Sequence, residues 1–114
     1  MNVEVGELFI GKPDTLVLAY DDIVQKVADW QPNSIGASRH SIVMSSGKAW
    51  LIIKPMKTAL DLKFYYREQL DSYRLKNVYT MGKKYAHHIR VHTPEELDAE
   101  VFRLLKKGFA YSLS

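Results

Sequence analysis

The sequence predicts an α+β domain: a two-layer sandwich in which an N-terminal and a C-terminal helix cover one face of an antiparallel sheet of about four to five strands. Three patterns predict it. Apolar residues recur at helical spacing near both ends of the chain, alternating runs occupy the middle, and short turn signals separate those runs. Two amphipathic helices need one sheet face to cover their apolar stripes, which leaves the other face more open.

A short helical turn is expected from Val3 to Ile10, closed by Gly11. From Pro13, suited to a first helical position, the residues Leu16, Tyr20, Ile23, Val24, Val27 and Trp30 recur at spacings of three and four, with Asp21, Asp22, Lys26 and Asp29 between them. This helix should end before Pro32. Ser41 to Ser45 and Lys48 to Lys54 are β-rich runs around Ser46-Gly47, the pattern of a hairpin. Lys57 to Tyr66 alternates, with Leu60, Leu62, Phe64 and Tyr66 on one face and Ala59, Asp61, Lys63 and Tyr65 on the other. Residues 67–80 are polar and carry no clear period. A further strand from Lys84 to His92 sets Tyr85, His87, Ile89 and Val91 against Ala86, His88, Arg90 and His92. The last helix is announced by Thr93-Pro94-Glu95-Glu96, an N-cap, a first-turn proline and a capping-box glutamate, followed by the stripe Leu97, Val101, Leu104, Leu105 and Phe109.

At 114 residues the chain is expected to form a single domain. It has no cysteine, which excludes disulfide staples, thiolate zinc sites and thiol catalysis. Its longest apolar runs, such as Ala49 to Ile53, are far short of the roughly 18 residues of a membrane span. The start, Met1-Asn2-Val3-Glu4, has no signal-like character, so a cytoplasmic location is expected and no membrane partner.

Charge is distributed unevenly. Residues 1–35 carry two bases against six acids, and residues 93–114 three bases against four acids. Residues 36–92 carry eleven bases against three acids, a net +8 within a chain whose total is +3. The acidic helices and the basic sheet are therefore expected on opposite sides, and an anionic partner is expected at the sheet.

Catalytic motifs fail on mechanism. Gly6-Glu7-Leu8-Phe9-Ile10-Gly11-Lys12 matches half of a phosphate-binding loop, but Pro13 stands where a Ser or Thr would hold Mg²⁺ and no buried strand precedes it. Pro13-Asp14 with Asp61-Leu62-Lys63 resembles the carboxylate pattern of metal-dependent nucleases, yet Asp14 opens a helix, and Asp61 and Lys63 read as a solvated strand face. Among the four histidines, His88 and His92 would lie roughly 13 Å apart along one strand and His87 points the other way, so no metal site and no cofactor are expected. Gly36-Ala37-Ser38-Arg39-His40 lacks the closing glycine of a nucleophile elbow. No enzymatic activity is expected.

Period two places Trp50 and Ile52 on one face with Lys48 and Lys54, an aromatic among cations, as single-stranded nucleic acid binding uses. The expected contact surface is this basic sheet with the stretch from Arg67 to Lys84. Lys48, Lys54, Lys57, Arg74, Lys83, Lys84 and Arg90 would meet phosphate or acidic groups there, and Trp50 would stack. A competing expectation is a small-ligand pocket between the first helix and the sheet, lined by Trp30, Tyr66 and Tyr85. A protein partner, including a second copy of the chain as a homodimer, is the third.

Several segments resemble a known family: Leu8-Phe9-Ile10-Gly11-Lys12-Pro13, a helix containing Leu18-Ala19-Tyr20, Lys48-Ala49-Trp50-Leu51-Ile52-Ile53-Lys54-Pro55 with Ala59-Leu60-Asp61-Leu62, His87-His88-Ile89-Arg90-Val91, and Glu96-Leu97-Asp98-Ala99-Glu100-Val101. Together, from about Val3 to Ser112, they are similar to a bacterial domain of unknown function, the 5655 family, some of whose relatives carry a predicted-transport-protein label. The resemblance implies an α+β domain that stands alone or follows other domains, sometimes restriction-type nucleases, with an accessory role near nucleic acid. It brings no active site, and the transport label fits poorly with a chain that has no membrane segment.

Overall fold

The computed structural model describes residues 4–114, so Val3, the expected start of the first turn, lies outside the described residues. A 3-10 turn, Val5–Phe9, leads into helix α1, Asp14–Val27. Six strands follow: β1 Ser34–Ala37, β2 Ile42–Ser45, β3 Ala49–Pro55, β4 Leu60–Tyr66, β5 Leu75–Met81 and β6 Lys84–Val91. A second 3-10 turn, Pro94–Glu96, precedes helix α2, Ala99–Ser112.

The strands form one sheet in the order β1-β2-β3-β4-β6-β5, and each neighbouring pair is antiparallel. The expectation of four to five strands missed both edges. β1 is four residues long and largely exposed, and β5 is exposed along most of its length, so neither carries the one-sided alternation that marks a half-buried strand. The β2–β3 hairpin turns through Gly47 at φ +110°, a conformation that L side chains disfavour.

Both helices lie on one face. Leu16, Ala19, Tyr20, Ile23 and Val27 of α1 and Val101, Leu104, Leu105 and Phe109 of α2 share a continuous core with Ile42 and Met44 of β2, Leu51 and Ile53 of β3, Leu60, Leu62 and Phe64 of β4, and Ile89 and Val91 of β6. Burying these side chains at about 25 cal/mol per Å² of apolar surface is the main force holding the layers together.

The start of the last helix differs from the expected one. Glu96 closes the first cap by accepting from the backbone N–H of Thr93 at 3.2 Å and of His92 at 2.9 Å, but the turn it caps ends at once. Asp98 then caps a new start, its Oδ1 accepting from Val101 N–H at 3.0 Å.

The connection from β4 to β5 must pass β6 to reach the sheet edge, and it does so on the helix side. There Leu70 N–H donates to His87 Nε2 at 3.0 Å, Ser72 Oγ donates to Glu100 at 2.6 Å, and Arg74 pairs with Asp98 at 2.6 Å. Arg103 and Ser72 together hold the Glu100 carboxyl down to about 2. Ser72 and Arg74 are therefore tied to the start of α2 and Leu70 to β6, on the helix side of the sheet. Among the described residues, no helix is long and apolar enough to cross a membrane.

Candidate anion-binding face

The pairing of β3, β4 and β6 decides which side chains meet on the uncovered face. Lys54 pairs with Asp61 and Asp61 with Arg90, while Ile52 pairs with Lys63 and Lys63 with His88. Adjacent strands lie about 4.8 Å apart, so these two rows bring residues from distant parts of the chain into one patch. Together with Ser41 and Met56 they line a groove of about 400 Å³.

Asp61 anchors the patch. Only 7% of its surface is exposed, and both carboxylate oxygens are engaged: Oδ1 accepts from Arg90 Nε at 2.9 Å and Oδ2 meets His88 Nδ1 at 2.8 Å. On its far side, His88 Nε2 lies 3.0 Å from the Tyr79 hydroxyl of β5, and the two rings stack at 5.4 Å. With Nδ1 facing the carboxylate, Nε2 is left to share a hydrogen bond with the Tyr79 hydroxyl. A Tyr79, His88, Asp61, Arg90 chain thus runs across three strands, and the buried carboxylate fixes one guanidinium and one imidazole in place.

Toward the other end of the same face, Lys84 Nζ sits 3.9 Å from the centroid of the Tyr65 ring and Lys63 Nζ 5.8 Å from it. Ala86, between Tyr65 and Tyr79 in the pairing, is fully buried. Lys57 lies in the exposed β3–β4 turn and Lys83 in the exposed β5–β6 turn, at opposite ends of the sheet. Among the described residues, Lys54, Lys57, Lys63, Lys83 and Lys84 have no carboxylate within 4.0 Å.

Three expected contact residues are elsewhere. Trp50 is 1% exposed, packs against Phe109 at 5.2 Å and Trp30 at 5.9 Å, and donates its indole N–H to Asn33 Oδ1 at 3.1 Å. The cause is a shift of register: Met44 pairs with Leu51 but Ser45 pairs with Ala49, so Trp50 is the extra residue of a bulge and turns to the helix side. Lys48, in the hairpin turn beside it, points over the Tyr111 ring of α2. Arg74 belongs to the strap bound to Asp98. Lys54 and Arg90 line the open-face groove with Lys63, His88 and Asp61, and Lys84 reaches the Tyr65 ring, where both also border a small pocket shared with Trp50, Gly108 and Tyr111.

The aromatic pocket is not assembled either. Trp30 is part of the cluster with Trp50 and Phe109, whereas Tyr66 packs edge-on to Tyr111 with the Arg67 guanidinium over both rings. Tyr85 pairs with Tyr66 across β4 and β6, apart from Trp30. His87 is fully buried, stacked on Phe64 at 5.0 Å, with Nδ1–H directed at the Tyr85 carbonyl. Burial pushes its pKa below the ordinary histidine value.

Residues 5–112 match the family described as Domain of unknown function (DUF5655). The chain belongs to that family. No curated protein and no solved structure matches it. In this DUF5655 member the match runs through every helix and strand of the fold, so the open-face patch lies wholly within the family domain.

Proposed function

We propose that the chain is a binding or accessory module of the bacterial cytoplasm, without catalytic activity of its own, that engages single-stranded nucleic acid on its open sheet face. The observation that carries this reading is the row of unpaired cations along that face, Lys57, Lys54, Lys63, Lys84 and Lys83, with Arg90 held beside them by a buried carboxylate. Spread over strands of seven and eight residues, this track is about 25 Å long, enough for several phosphates of an extended strand. Each lysine that neutralises a phosphate releases condensed counterions, which makes such binding strong at low salt and weak at high salt. Tyr65 and Tyr79, not Trp50, are the rings available beside the cations.

The test is fluorescence anisotropy with a labelled single-stranded oligonucleotide across a salt series. Binding should fall steeply as salt rises, with a slope of about −0.7 per phosphate neutralised. Replacing Lys63 or Lys84 by Ala should lower that slope by roughly one contact each. Absence of binding at low salt, or binding that a Lys54→Ala/Lys63→Ala/Lys84→Ala triple variant leaves intact, refutes the reading.

A further inference from the structure

We infer that the groove around Asp61 is a subsite for a terminal phosphate monoester, the phosphorylated end of a strand or a mononucleotide, which rests on the nucleic-acid reading above and narrows it. The first argument is size. A groove of about 400 Å³ lies at the small end of ligand sites, on the scale of a single nucleotide.

Charge supplies the second argument. Lys54, Lys63 and Arg90 bring three positive charges to the groove and Asp61 one negative charge, a surplus of two before His88 is counted. An internal phosphodiester carries a single negative charge. A terminal phosphate carries about −1.5 to −2 near neutral pH and offers three acceptor oxygens. The monoester is the better match to the surplus.

Preorganisation is the third. Surface lysines alone attract any polyanion, but a guanidinium fixed in orientation selects a geometry. Asp61 holds Arg90 through Nε, which leaves the two terminal nitrogens of the fork for a ligand. The carboxylate does not repel that ligand strongly, because Arg90 and His88 already occupy its two oxygens and little of it is exposed. Ile52 and Met56 supply an apolar part of the lining against which a sugar or base can rest.

The experiment compares one short single-stranded oligonucleotide in three forms, with a 5′-phosphate, with a 3′-phosphate and with hydroxyls at both ends, by competition at moderate salt. Adenosine monophosphate, adenosine and inorganic phosphate serve as further competitors. One phosphorylated form should bind about tenfold or more tightly than the hydroxyl form, as expected for charged hydrogen bonds of about 1.5 kcal/mol or more. Adenosine monophosphate should compete where adenosine does not, and competition by inorganic phosphate alone would trace the affinity to the phosphate group itself. Arg90→Lys, which keeps the charge and loses the fork, should abolish the preference, bringing the phosphorylated forms down to the affinity of the hydroxyl form measured on the same variant. Equal affinity of all three forms overturns the subsite and leaves the broader reading standing. Failure of all three to bind at low salt overturns both.

Discussion

Gly108 of α2 lies directly against Phe64 of β4: a Cβ built at position 108 would sit 2.9 Å from Phe64 Cδ2 and 3.1 Å from Phe64 Cβ. The ring is fully buried, and its Cβ is fixed to the central strand. The helix passes the ring here too closely for a side chain at position 108 to fit without a shift.

Gly108→Ala should therefore destabilise the protein even though alanine is the better helix former by about 1 kcal/mol. Overpacking of a filled core costs roughly 1–3 kcal/mol, which exceeds that gain or cancels it. A lower urea midpoint than wild type is the expected result. A clear rise would show that α2 can lift from the sheet without loss.

His87 should make stability depend on pH. Its ring accepts the Leu70 N–H and donates to the Tyr85 carbonyl, an arrangement that needs the neutral form. The unfolded chain takes up the proton near pH 6.5, and the folded chain only at lower pH, because burial lowers the value. This contribution is fully present above about pH 6.5 and is lost as pH falls toward the folded value. Urea midpoints from pH 8 to pH 5 should thus decline more steeply for wild type than for His87→Gln. Parallel curves would remove His87 as the source.

Trp50 should report on the core and not on the ligand. Trp50→Phe should leave oligonucleotide affinity unchanged, whereas Trp50→Ala should cost about 3–5 kcal/mol of stability. Loss of affinity in a folded Trp50→Phe protein would contradict the placement of the indole.

Arg74 tests the division between the two sides of the molecule. Arg74→Ala removes a partly exposed pair with Asp98, worth at most about 1 kcal/mol, and should loosen residues 70–74 in hydrogen exchange. Oligonucleotide affinity should change far less than in Lys63→Ala. Equal effects would mean that the strap belongs to the binding surface.

Much of the fold was legible because alternation in β4 and β6 is strict. Leu60, Leu62 and Phe64 are buried in the core as the alternation predicts, whereas Asp61 and Lys63 turn to the open face and line the groove with Arg90. The bulge at Trp50 was not legible, since one extra residue leaves composition and spacing unchanged while reversing a side chain. Nor was the partnership of Asp61 with His88 and Arg90, which depends on the β4–β6 register and on β6 inserting between β4 and β5. A hint existed: Asp61 is the only acid among residues 36–66, on a strand otherwise apolar or basic. The edge strand carrying Tyr79 gave no signal, because nothing covers either of its sides strongly enough to impose a period.

The insertion of β6 beside β4 has a consequence for assembly. A chain that has formed β2, β3 and β4 owns the carboxylate but neither of the groups that tame it; those arrive only when the hairpin of β5 and β6 docks from downstream. Until then a lone anion stands among the lysines. The subsite is thus complete only where the first half of the sheet meets the second, since Asp61 comes from one and both of its partners from the other.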